Sequence, residues 1–333
     1  MGEMMFKAKS ATRVDFAGGT LDLWPLSTLV ADATTVNCSI SCYTTVEFKK
    51  SDKMSVFVES PDFKEKFEFS NLTDFFSKED SKLSILQEAF SVLTDKESGV
   101  GDWSIKSESP AGSGLGGSSS LLISMLKVLF NINGEDYSEK SIIESAKNIE
   151  SRVLRTPAGI QDYFSPVKEG LNLITYKEAG FERTDMSESL SFWKDSITIV
   201  DSQIKHHSGM NNWDILKKYI DQDEKVVKAI KSISRVSKDT KKALEAKSMD
   251  ALMDCFKGEL EARKAVSDSY INDELSAFLD KLSKVENVLS LKVCGAGGGG
   301  CVLVLHKSGD KANVQESLKA LGVSVLPFEL TGL

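Results

Sequence analysis

The chain of 333 residues is poor in the side chains that build metal and redox centres, with 3 histidines and 5 cysteines. Cys38, Cys42, Cys255, Cys294 and Cys301 sit in apolar surroundings, show no C-x-x-C spacing and join no Cys/His cluster. That argues against a zinc site and a disulfide framework, and fits reduced, buried thiols in a cytoplasmic protein. Positive charge is short as well. A formal net charge of −8 argues against nucleic acid as the main partner. No apolar run reaches about 18 residues and the N-terminus carries no signal-peptide pattern, so no membrane association is expected. Repeats, low-complexity tracts and a long linker are missing too.

What remains is an ordinary globular composition, 41% apolar and 27% charged, long enough for two lobes. The most informative stretch is Pro110-Ala-Gly-Ser-Gly-Leu-Gly-Gly-Ser-Ser-Ser120. It lies between a strand-like Trp103–Ser107 and an apolar, helix-like Leu121–Phe130. Glycines let a backbone fold tightly and bring its N–H groups against a ligand. The helix start then adds unpaired donors and a positive dipole end, so the stretch reads as an anion site, with phosphate the natural anion. The bland alternative is a helix entry loop that binds nothing. Gly112, Gly114 and Gly117 also satisfy G-x-G-x-x-G, but a dinucleotide fold would put that motif after a buried parallel strand. Here the preceding strand alternates polar and apolar. A Walker A loop is excluded because no Lys-Ser/Thr follows the glycines.

Elsewhere, Thr12–Ala17 reads as a strand entering a Gly18-Gly19 turn, followed by Asp22. Arg13 and Asp22 form either a surface ion pair or a cation and acceptor set at a cleft for a polyhydroxylated substrate. Thr34–Phe48 and Met54–Glu59 read as successive antiparallel strands. Helices are expected over 82–93, 121–130 and 139–152. Glu150 and Asp162 flank a Pro/Gly break, so they are either metal ligand and base of one pocket or a solvated face and a helix cap. Strands follow at Leu171–Tyr176 and Ser196–Asp201, then a polar loop with Lys205, His206 and His207. Residues 212–288 have helical periodicity and charged outer faces, as in a solvated bundle. Leu289–Cys294 and Cys301–His306 bracket the glycine run 295–300, a turn suited to close backbone approach. A last helix over 311–321 and a strand over 323–329 complete the expectation.

Three of these stretches fall into one pattern. Arg13 to Asp22, Pro110 to Ser120 and Lys292-Val-Cys-Gly-Ala-Gly-Gly-Gly-Gly-Cys301 resemble the three ordered motifs of the GHMP kinases, the small-molecule kinases that include galactokinase, homoserine kinase, mevalonate kinase and phosphomevalonate kinase. The resemblance implies a two-lobed α+β fold. Residues 1–190 would form a mixed β/α ATP-binding lobe like ribosomal protein S5 domain 2, and 191–333 a ferredoxin-like α/β sandwich. It implies Mg-ATP as the phosphoryl donor and a small-molecule acceptor, in a monomer or homodimer. The loop of Pro110, Gly112, Ser113, Gly114, Leu115, Gly116, Gly117, Ser118 and Ser119 would cradle the ATP phosphates. Ser118, with Ser119 as its substitute, and Glu150 match the Mg²⁺ ligands. Asp162 matches the catalytic aspartate and Arg13 the basic residue beside it. Gly18, Gly19 and Asp22, together with Asp162, match the substrate side, and Gly295, Gly297 and Gly298 the turn that supports the loop.

Within the family, Ala17-Gly18-Gly19, Gly159-Ile-Gln-Asp162 and Gly170-Leu-Asn-Leu-Ile174 resemble the D-glycero-D-manno-heptose 7-phosphate kinases. The implied reaction is phosphorylation of a sugar or sugar-phosphate hydroxyl, the anomeric one of a heptose 7-phosphate foremost. Galactokinase-like and mevalonate- or phosphomevalonate-type kinases, a decarboxylase of the same fold and a silent nucleotide-binding relative are the alternatives.

Overall fold

The computed structural model describes residues 4–51, 55–60, 65–204 and 212–332. The first sheet contains β1 (Met5–Ala17), β2 (Thr34–Lys50), β3 (Val56–Ser60), β4 (Glu65–Phe69), β5 (Gly101–Ser107), β6 (Leu171–Lys177) and β7 (Gly180–Asp185). The second contains β8 (Ile197–Asp201), β9 (Val288–Val293), β10 (Cys301–His306) and β11 (Ser324–Val325), and the short β12 (Leu330–Thr331) returns to the first. The helices that position the site are α1 (Met249–Val266) in the second lobe and, in the first, α2 (Gly117–Asn133) and α3 (Glu139–Leu154).

The β-rich segments 34–50 and 5–17 pair as one long antiparallel ribbon, bent by register shifts at Ala11/Thr12 and Asp15/Ala17. Such bulges re-aim side chains near sites. β5 alternates buried and exposed positions, as its sequence requires, and pairs antiparallel with β2. One expectation fails here. β3 does not pair with β2; it lies parallel to β5 and antiparallel to β4. Alternation reveals that a segment is a strand but not which strand it joins.

The second sheet has the order β11-β8-β10-β9 with every pairing antiparallel. A helical stretch follows β8 and another helix, Lys311–Ala320, follows β10. This is the β-α-β-β-α-β ferredoxin-like sandwich. The expected strand over 323–329 is divided instead: Ser324 and Val325 pair with β8, whereas Leu330 and Thr331 pair with β2. One apolar core fills the space between the first sheet and its helices, and a second joins the other side of β1 and β2 to the second sheet and α1. No described helix is long and apolar enough to cross a membrane.

Candidate active site

The loop before α2 holds Gly112, Gly114 and Gly116 at φ of 70°, 72° and 71°, a left-handed conformation that favours glycine. The helix begins at Gly117, earlier than its apolar run suggests, and its N-cap Gly116 makes no side-chain capping bond. Its first N–H groups are therefore left to a ligand. The loop lines a cleft of about 450 Å³ together with Arg13, Thr20, Asp22, Glu150, Gln161, Asp162 and Arg263.

Asp162 stands on a 3₁₀ turn, Gln161–Tyr163. Arg13, almost fully buried on β1, grips it with two hydrogen bonds, Nε to Oδ1 and Nη2 to Oδ2, both 2.7 Å. Arg13 also donates through Nη1 to the carbonyl of Gly114, which ties the cation to the glycine loop. Asp22 pairs with neither of them. It is buried and accepts the backbone N–H of Gln161 at 3.1 Å. Burial, with Asp162 nearby, pushes its carboxyl up to about 6.

Glu150 lines the cleft near the end of α3. One carboxylate oxygen accepts from the Tyr163 hydroxyl and the other lies 3.5 Å from Ser119 Oγ. Burial pushes Glu150 up to about 7, against the opposing pull of the Tyr163 hydrogen bond. Ser119, not Ser118, is thus the serine turned toward Glu150. Ser118 is exposed at the cleft surface, one residue earlier along the helix, which rotates it by about 100°. Among the described residues no group of three or more His, Cys, Asp or Glu side chains is placed to hold a metal ion by itself. One carboxylate and one hydroxyl beside an N–H-lined loop still fit Mg²⁺, which keeps water and takes phosphate oxygens in place of an all-protein cage.

The two glycines expected on the substrate side do not line the cleft. A Cβ on Gly18 would lie 2.2 Å from the Thr34 carbonyl, and one on Gly19 1.9 Å from Arg263 Nη2. They make room for packing, and Thr20 and Asp22 form the wall. Of the supporting turn, Gly295 abuts Gly114, whereas Gly297 packs on Tyr270 and Gly298 faces Ser269. The loop is held further along, where Cys301 N donates to Ser113 O at 2.7 Å. Lys205, His206 and His207 lie outside the described residues.

Residues 83–170 match the family model for the GHMP kinases N terminal domain and 240–324 that for the GHMP kinases C terminal domain, together just over half of the chain. The chain belongs to the GHMP kinase family. As a GHMP kinase it is an ATP-dependent kinase, and the helix start after the glycine loop carries no side-chain cap. It is 24% identical to the D-glycero-alpha-D-manno-heptose 7-phosphate kinase of Campylobacter jejuni, over 98% of this chain and 96% of that one. In fold it resembles a D-glycero-D-manno-heptose 1-phosphate kinase from Bacteroides thetaiotaomicron, with TM-score 0.78 and 17% identity over 98% and 96% of the two chains. The galactokinase of Lactococcus lactis complexed with galactose gives TM-score 0.77 and 16% identity over 98% and 94%.

This GHMP kinase also has a buried charge layer that the motifs do not announce. Asp15, on the same strand as Arg13, binds Lys292 Nζ at 2.8 Å and the N–H of Gly295 at 2.9 Å. Arg263 lies 3.8 Å from Asp15 and donates to Glu259 at 2.9 Å. Lys292, Arg13 and Arg263 outweigh the burial of Asp15 and hold its carboxyl well below the usual range. Glu259 and Arg263, read from sequence as part of a solvated bundle, are buried. An i, i+4 charge pair looks the same whether its face points out or in. The i, i+2 spacing of Arg13 and Asp15 was the one available signal that they share a face.

Proposed function

We propose that this kinase transfers the γ-phosphoryl group of Mg-ATP to a hydroxyl of a sugar or sugar phosphate, the anomeric hydroxyl of a heptose 7-phosphate foremost. The observation that carries this reading is the Arg13–Asp162 pair, set in one cleft with the phosphate loop and with Asp22. Each Asp162 oxygen takes one guanidinium N–H and keeps a further lone pair, so the carboxylate can still accept a substrate hydroxyl proton. Asp162 orients that hydroxyl and receives its proton as the oxygen forms its bond to the γ-phosphorus and the bond to ADP breaks. Arg13 balances the charge of Asp162 and stands beside the loop, where it stabilises charge on the transferring group. Asp22 accepts hydrogen bonds from other hydroxyls of the substrate. Ser119 or Ser118 and Glu150 would hold Mg²⁺, which offsets charge on the β- and γ-phosphoryl oxygens. The sugar comes from the heptose kinase relative, whose length this chain matches almost entirely.

We further infer a cytoplasmic monomer or homodimer with lobes over 1–190 and 191–333; the five buried free cysteines support a reducing compartment.

The test is ADP release with Mg-ATP across heptose 7-phosphate, free heptose, galactose, fucose, mevalonate and phosphomevalonate. Turnover with heptose 7-phosphate is expected. Asp162→Asn should lower it at least about a hundredfold, the lower scale for a general base. Near-normal turnover by that variant overturns the role of Asp162. Turnover of mevalonate alone overturns the sugar, and nucleotide binding without turnover on any of the six overturns the choice of acceptor and favours a silent relative.

A further inference from the structure

Tyr163 follows Asp162 directly and is fully buried in the core of the first lobe. Its ring needs no explanation beyond packing. Its hydroxyl does, because burying a phenol requires a partner, and the partner here is Oε2 of Glu150. The other oxygen, Oε1, is the one near Ser119, on the side of the phosphate loop. A carboxylate at the end of a glutamate turns readily about its last torsion. Fixing one oxygen removes that freedom and leaves the second in a set direction.

The post that does the fixing is itself tethered. Gln161, two residues before Tyr163, has its N–H held by Asp22 at 3.1 Å and its carbonyl held by the buried amide of Asn37 at 2.8 Å. The same 3₁₀ turn therefore carries Asp162 into the cleft and the Tyr163 hydroxyl back to α3. One short turn sets where both carboxylates stand relative to each other.

We propose that Tyr163 is a positioning residue for Glu150. Its hydroxyl ties one oxygen into the core so that the other is presented, already oriented, to the cation that accompanies ATP. The proposal rests on the reading of Glu150 as the Mg²⁺ ligand. Partners of this kind, one shell out from a metal, typically change metal affinity by about 10–100-fold when removed.

Tyr163→Phe deletes the hydroxyl and keeps the packed ring. ADP binding would be measured by calorimetry with Mg²⁺ and with EDTA, on the wild type, Tyr163→Phe, Glu150→Gln and the double variant. Tyr163→Phe should lose about tenfold of the Mg²⁺-dependent gain in affinity, with binding in EDTA unchanged. In steady state its kcat should fall while KM for the acceptor holds. The double variant should match Glu150→Gln alone. If Glu150→Gln abolishes the Mg²⁺-dependent gain and Tyr163→Phe leaves it intact, the proposal is overturned and the metal reading stands. A Tyr163→Phe variant that only melts lower, with the Mg²⁺ gain unchanged, overturns it as well. If Glu150→Gln itself leaves the gain untouched, Glu150 is not the ligand and both readings fall.

Discussion

The two glycine-rich segments share a composition and do different work. The one before α2 uses left-handed residues to turn backbone N–H groups toward an open cleft, and it ends in a helix start that no side chain caps. The one over 295–300 reaches the cleft with Gly295 and Ala296 and otherwise packs into the structure, where its glycines are demanded by neighbours. A Cβ at Gly297 would sit 2.1 Å from the Tyr270 ring, and one at Gly299 2.3 Å from the Ile204 carbonyl. Both segments are left-handed at several glycines, but the second is hemmed in by its neighbours more tightly than the first. The same division into a facing layer and a supporting layer separates two aspartates. Asp15 is buried among three cations and Asp22 is buried with a second carboxylate nearby.

The supporting layer should break most severely. Asp15→Asn leaves Lys292 buried with its closest anion gone, a loss on the order of 3–5 kcal/mol. Because the Asp15 carboxyl is held low in the fold, its stabilisation is present above the unfolded value near 4 and fades as pH falls below it. Urea melts at pH 6 and pH 8 should therefore show the full loss at both. A variant as stable as the wild type would show that Asp15 supports nothing.

Asp22→Asn should act in the opposite direction. A carboxyl raised to about 6 favours the fold fully below about pH 4 and loses that contribution as pH rises through 6. The variant should thus equal the wild type near pH 4 and exceed it by about 3 kcal/mol at pH 8, while turnover falls because the substrate loses an acceptor. Equal stability at both pH values would contradict the burial argument. The smallest effect belongs to the facing loop. Gly114→Ala puts a Cβ 2.9 Å from the Cys294 carbonyl at a left-handed position, a strain of about 1–2 kcal/mol. It should raise KM for ATP about tenfold and lower the melting temperature by only a few degrees. A large stability loss with unchanged KM would erase the distinction between the layers.

The facing layer was legible in the sequence because it is written locally. Glycine spacing, a helix start and an aspartate after a Pro/Gly break are features of a few consecutive residues. The resemblance to the family followed from the order of such stretches, and the ferredoxin-like topology was what that resemblance implied. The supporting layer was not legible, since Asp15 meets Lys292 and Arg263 only through the fold. Pairing partners were hidden for the same reason, as β3 beside β5 shows. Ser118 and Ser119 could not be told apart either. Their directions depend on where the helix begins, and the apolar run placed that start four residues too late. The Tyr163 hydroxyl gave no signal at all, because an aromatic next to a turn reads as core.

The return of β12 to β2 has a consequence for how the protein is made. The strand that fills the gap beside β2 between β6 and β5 is translated after every strand of the second sheet, so the earlier lobe waits for the later one to leave the ribosome. During that interval part of β2 is an open edge, the kind of surface on which nascent chains pair wrongly. A nick anywhere between β8 and β11 would leave the two fragments clasped by residues 330–331 and by the shared core, so cleavage and separation of the lobes are different events.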